Sequence, residues 1–111
     1  MLDATTDAVI VEDMQGEVIY HNPAATALYG WNTEDFRSLD VRQRVVAQAD
    51  SFDRIKQEVF KNGHWSGESE QKIKSGKSIV VESRIVLVKD EESNPAYFLI
   101  LKRDITEKKL L

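Results

Sequence analysis

Apolar positions in this chain fall into short runs of two periods. Residues 7–12 read as a strand, with Ala8, Val9, Ile10 and Val11 as its apolar run. Asp13-Met14-Gln15-Gly16 supplies turn chemistry, an aspartate able to bond its own backbone followed by a glycine free to take positive φ. Residues 17–21 return as a second strand. The helix after them is well signed: Asn22 as N-cap, Pro23 at the first helical position, propagation through Tyr29, and Gly30 as terminator. Residues 32–36 start another short helical turn with Glu34 and Asp35 at its positive end, and Val41, Val45 and Val46 point to one more short helix within 37–49. The longest helix spans 51–62. Phe52, Ile55, Val59 and Phe60 form one stripe of a 3.6-residue period, with Asp50 or Ser51 as cap and Gly63 as end. Strand patterns at 64–74, 77–89 and 96–103 follow, joined by a tight hairpin turn at Ser75-Gly76 and a polar loop over 90–95.

Two strands, then helices, then three strands make an α+β domain: a five-stranded antiparallel sheet with short helices and one longer helix over one face. An antiparallel sheet with one wet side alternates apolar and polar residues, and here two strands do not. The fourth strand carries Ile79, Val81, Ser83, Ile85 and Leu87 on one side and Val80, Glu82, Arg84, Val86 and Val88 on the other. In the fifth, Tyr97, Leu99 and Leu101 oppose Phe98 and Ile100. Only one set can meet the domain's own helices. The other, assigned to Val80, Val86, Val88, Phe98 and Ile100, would leave side chains in water that each forfeit roughly 1.5–3 kcal/mol of burial. A patch of that kind predicts cover by a second copy or a flanking helix; the plainer account is that strands favour β-branched residues on either face.

Composition narrows the picture. The 111 residues make a single domain, large enough for one modest core. Without cysteine there is no disulfide, thiol chemistry or thiolate metal site, which fits a reducing compartment such as the cytoplasm. Against 19 acidic residues stand 15 basic ones, for a net charge of −4 and no basic stripe, which argues against nucleic acid. No apolar run approaches the ~20 residues of a membrane span, so this segment makes no membrane contact, although a parent protein could be anchored elsewhere.

The candidate chemistry is sparse. Asp104-Ile105-Thr106 ends the last strand and leads into Glu107-Lys108-Lys109, so Asp104 or Thr106 can cap a helix while Ile105 anchors the joint. That helix, opening at about 105–111, reads as the start of a linker to an effector beyond Leu111. His21 and His64 are the only histidines and make no metal-site spacing. Ser83 stands on an otherwise apolar side and needs a partner: backbone, water or a small ligand. No strained nucleophile elbow or phosphate loop is present, and Glu68, Glu70 and Glu82 read as exposed partners of Lys72, Lys74 and Arg84, so the chain is not expected to be an enzyme.

The apolar strand from Tyr97 to Arg103 ending in Asp104-Ile105-Thr106, together with Asp13-Met14-Gln15-Gly16, Asn22-Pro23-Ala24-Ala25 and Gly63-His64-Trp65-Ser66-Gly67-Glu68, resembles the PAS family of sensory domains, in the bacterial signalling subgroup. The resemblance runs from about Leu2 to Lys109. It implies a strand order of 2-1-5-4-3 and a sensory, dimerising module of a histidine kinase or diguanylate cyclase. Output would pass through residues 104–106, and the homodimer would form through the outer sheet face. The helix that precedes the first strand in this family is here reduced to Met1-Leu2-Asp3-Ala4. The alternative is a ligand-free interaction module that only holds effector subunits together. A ligand pocket, if used, would draw on Tyr29, Phe36, Ile55, Val59, Phe60, Trp65, Ser83 and Leu99, most of which also make an ordinary small core. No cofactor is the favoured reading. Haem would need an axial histidine from the long helix or its adjoining loop, where only His64 lies nearby. Cysteinyl-flavin photochemistry is excluded by the lack of cysteine, and non-covalent flavin, with Trp65 lining a pocket, is disfavoured. Trp31 is expected to close the first helix against the core.

Overall fold

The computed structural model describes residues 7–32, Glu34 and 49–107. Strands β1 (Ala8–Asp13), β2 (Val18–His21), β3 (His64–Lys72), β4 (Ser78–Lys89) and β5 (Pro95–Asp104) form one antiparallel sheet in the order β2-β1-β5-β4-β3. Helices α1 (Pro23–Tyr29) and α2 (Ala49–Asn62) contribute Ala25, Tyr29, Ile55 and Val59 to the core on its inner face. The first and last strands are central neighbours, so the end of the chain is stitched to its beginning. The expected strand order is the one observed, and the described elements follow one another in the expected order. Asp50 and Ser51 lie within α2 rather than capping it. The expected helices at 32–36 and 37–49, and with them Phe36, lie outside the described residues, as does the Phe52 side chain.

Three hairpin loops are built alike. In residues 13–17, 73–77 and 90–94 the first N–H donates to the fifth carbonyl and the fourth N–H to the first carbonyl, at 2.8–3.1 Å. This is a type I turn closed by a left-handed residue. Gly16 (φ 85°) and Gly76 (φ 92°) take the left-handed place in two of them, and Ser93 (φ 67°) takes it in the third. Asp13 and Asp90 brace their loops identically, each Oδ1 accepting from the N–H groups two and four residues on.

Asn22 joins α1 to the sheet. Its Oδ1 accepts from Ala25 N–H (3.0 Å), as an N-cap should, and from Val9 N–H (2.9 Å), while its Nδ2 donates to the Asp7 carbonyl (3.0 Å). The cap and the start of β1 are therefore one hydrogen-bonded unit.

The face assignment of β5 is corrected by the structure. Phe98 and Ile100, expected on the outer face, are 2 % and 1 % exposed in the core, and Leu99, expected inside, lies outside. An unbroken ladder from the 90–94 loop would place Phe98 opposite Val86. Instead Lys89 pairs with Pro95 and Val88 with Tyr97, leaving Ala96 as an extra residue. That bulge advances β5 by one position and turns every later side chain to the other face. On β4 the expected division holds: Ile79, Val81, Ser83 and Ile85 are buried, and Val80, Val86 and Val88 lie on the opposite face.

Candidate functional site

The end of β5 has two hydrogen-bonded anchors. Ile105, a buried side chain, donates its N–H to the Val80 carbonyl (2.9 Å). Val80 in turn donates its N–H to the Thr106 hydroxyl (2.9 Å), so a side-chain oxygen replaces the carbonyl that a longer strand would have offered. The Thr106 hydroxyl donates to Asp104 Oδ1 (2.6 Å), which also accepts Thr106 N–H (2.9 Å). Asp104 thus caps the turn opened by Thr106 and Glu107, and Thr106 ties that turn to β4. The three residues singled out from sequence converge. Lys77 and Ile79 join Asp104, Thr106 and Glu107 around an open groove of about 370 Å³ beside the joint.

Upstream of the joint, the inner face carries polar groups that the sequence pattern did not disclose. Lys102 is 1 % exposed and donates to Ser83 Oγ at 2.7 Å, which answers the expectation that Ser83 needs a partner. Burial lowers the Lys102 pKa to about 7. Tyr29 donates its hydroxyl to Gln71 Oε1 (2.8 Å), whose amide nitrogen donates to Ser69 Oγ (3.3 Å). Burial, and next the charge of Asp104, push the Tyr29 phenol well above its usual range. Glu12 is wholly buried and paired with Lys56 of α2 at 2.8 Å, and the Lys56 ammonium also stands 5.3 Å from the centre of the Phe98 ring. Lys102 shares its side of β5 with Phe98 and Ile100, so no local signal distinguished it from the exposed Arg103.

The expected pocket residues divide. Tyr29, Ile55, Val59 and Ser83 are buried on the inner side, and Trp65 packs half-buried against the same core. Phe60 is 51 % exposed, with its ring edge-on to Phe98 (5.5 Å, 79°). Leu99 faces away. Among the described residues, Glu12, Ile55, Lys56, Val59, Ile85, Phe98 and Ile100 enclose a void of about 10 Å³, room for a single water. Trp31 packs against the core as expected, with Lys74 over its ring at 5.8 Å. His21 meets Thr26 Oγ1 at 3.3 Å, a local contact. His64 pairs with Val86 on the outer side of the sheet.

The outer face is apolar over β2, β1, β5 and part of β4. Tyr20, Val11, Leu99 and Val86 stand in one row across these four strands, with Tyr20 52 % exposed. Toward β3 the surface becomes charged, where Ser66, Gly67, Glu68, Glu82, Arg84 and Arg103 line an open groove. Glu68 stands opposite Glu82 rather than a lysine. Arg103 binds Asp7 through two bonds (3.1 and 3.3 Å), which raises its pKa further.

A family model for the PAS domain matches residues 6–107. The chain belongs to the PAS domain family. A PAS domain from Colwellia psychrerythraea superposes with a TM-score of 0.77 at 27% identity, covering 96% of this chain and 92% of its own. The PAS domain of the fruit-fly ELK potassium channel gives a TM-score of 0.77 at 17% identity, covering 95% and 91%. An RNA-binding light-oxygen-voltage receptor gives 0.76 at 18% identity, over 93% of this chain and 30% of the receptor. The last two likenesses concern the fold alone. No curated protein sequence matches the chain. PAS domains as a family sense rather than catalyse, and among the described residues no helix is long and apolar enough to cross a membrane.

Proposed function

We propose that this PAS domain is the sensory and pairing module of a larger signal-transduction protein, with a histidine kinase or diguanylate cyclase as its effector. A change in core packing or occupancy shifts β5, and the joint at residues 104–106 converts that shift into movement of the following helix. The observation that carries this reading is the Thr106 hydroxyl, which bonds Val80 of β4 on one side and Asp104 on the other. A shift of β5 against β4 cannot leave both bonds unchanged. Any ligand acts only through its difference in affinity for the two arrangements.

In the full-length protein, Thr106→Val removes both bonds at nearly constant shape, whereas Thr106→Ser keeps the oxygen. Effector output should change several-fold in the first and stay near wild type in the second. Equal output from all three proteins would sink the relay. A second reading is a ligand-free module that only keeps effector subunits in register. Native mass spectrometry and an absorption spectrum of gently purified protein separate the two: a retained small molecule supports sensing, and clean protein that still pairs supports the register role.

A further inference from the structure

The sheet ends in β2 on one side and β3 on the other, and only β3 is built to take a further neighbour. We propose that β3 is extended, as the next antiparallel strand, by a segment of a partner protein that carries basic residues at alternate positions.

β2 is four residues long and broken by a bulge at Ile19, and short or bulged edges are poor templates for pairing. β3 is nine residues long, contains no proline, and keeps an unbroken register with β4 from His64 to Lys72. Hydrogen bonds just beyond its ends fix which way its backbone points. Leu87 N–H donates to the Gly63 carbonyl (2.9 Å), and Ile73 N–H donates to the Lys77 carbonyl (3.0 Å). Antiparallel pairs alternate between bonded and unbonded. The odd-numbered residues of β3 therefore bond β4, and the even-numbered ones turn N–H and C=O toward the edge. Lys74 shows the same parity: its N–H donates away from β4, to the Tyr29 carbonyl at the end of α1 (2.9 Å). That bond closes the edge past Lys72. Before it, Ser66, Glu70 and Lys72 present donors and acceptors on a side where, among the described residues, no strand lies.

Charge selects the occupant. The even-numbered side chains stand exposed on the outer face, with Glu68 and Glu70 two residues apart and Glu68 directly opposite Glu82. Like charges facing each other across a ladder repel. An added strand sets its own side chains beside these, and lysine or arginine next to Glu68 and Glu70 offsets the repulsion. A second β3 in full register would instead set Glu68 against Glu68. On the inner side the added residues fall beside Trp65, Gly67 and Ser69, which are half-buried, so small apolar side chains suit the positions between the basic ones. Main-chain bonds then supply affinity and the alternate side chains supply selectivity.

The probe is the capped peptide Thr-Val-Lys-Val-Lys-Val-Thr, titrated against the whole domain and followed by tryptophan fluorescence and by amide hydrogen exchange in NMR. Exchange at Ser66, Glu70 and Lys72 should be fast in the protein alone and slow about five-fold or more on binding, while Trp65, Gly67, Ser69 and Gln71, already in the ladder, change little. N-methylation of the two lysine nitrogens removes donors aimed at β3 and should weaken binding about ten-fold, whereas N-methylation of the valines flanked by them should not. Replacing the peptide lysines by glutamate, or Glu70→Lys in the protein, should weaken it about five-fold or more. Slow exchange at Ser66, Glu70 and Lys72 before any peptide is added would mean that the chain covers its own edge, and the proposal would fall. It would fall equally if no exchange rate changed at millimolar peptide, if both methylated peptides bound as the parent does, or if the glutamate peptide bound as well as the lysine one.

Discussion

Lys102 offers the sharpest test of how the interior is balanced. Its ammonium is buried on the inner side of β5 and held by Ser83 Oγ at 2.7 Å; burial brings its pKa from the ordinary 10.5 to about 7. The unfolded chain therefore holds nearly one more proton than the folded chain between pH 7 and pH 10.5. Stability must rise with pH through that window, because deprotonation relieves a cost that only the folded state bears. Below pH 7 both states are protonated and the penalty is complete and constant. With one pKa unit worth about 1.4 kcal/mol, the gain from pH 7 to pH 10 is on the order of 3 kcal/mol. Tyr29 opposes it beyond that range: its raised phenol keeps the proton in the folded state while the unfolded phenol loses it, so stability falls again above about pH 10. Urea unfolding, followed by tryptophan fluorescence from pH 6 to pH 10 at fixed protein concentration, measures the slope directly. Lys102→Met removes the ammonium and fills nearly the same volume, so its stability should lose the rise between pH 7 and pH 10. Common contributions from the other titrating groups cancel in the difference. Parallel curves for the two proteins would show that burial does not depress this amine, and the reasoning would be refuted.

Further substitutions test the packing. Ser93→Gly in the 90–94 loop should stabilise the domain by about 1 kcal/mol in chemical denaturation, since a non-glycine residue at left-handed φ costs roughly that much and the two sister loops carry glycine there. Gly67→Ala should destabilise by about 1–3 kcal/mol, because a Cβ there would stand 2.7 Å from Cζ2 of the Trp65 ring lying across it; Trp65 fluorescence should shift as the ring is displaced. Lys56→Ala removes the cation 2.8 Å from the buried Glu12 carboxylate and should cost up to about 3 kcal/mol; Glu12→Gln in that background should recover part of it, whereas additive losses would refute the pairing.

Much of this fold is written in local chemistry. Asn22-Pro23 and Gly30 bound α1 because cap geometry is decided within a few residues, and Asp13-Met14-Gln15-Gly16 and Ser75-Gly76 mark two of the three hairpins for the same reason. The residues of the joint were also legible, since a polar Asp-Ile-Thr break after a long apolar strand has few uses. What they bond to was not: the Val80 amide lies 26 positions earlier, and no local pattern points to it. The buried pairs Glu12 with Lys56 and Ser83 with Lys102 were equally hidden, because a charged residue reads as exposed until its partner across the layer is known.

The sequence by itself determined that this is a five-stranded antiparallel sheet with helices on one side, and that its fourth and fifth strands carry apolar residues on both faces. Which side chains of the last strand face which way was left to the tertiary structure. Phe98, Leu99 and Ile100 are all large and apolar, so alternation carries no sign along that stretch, and a single extra residue at Ala96 decides it. The bulge is set by the register of β5 against β1 and β4 together, with Ile10 and Ile85 both meeting Ile100. The energy that selects one face over the other is therefore shared among three strands far apart in sequence, and none of them states it alone.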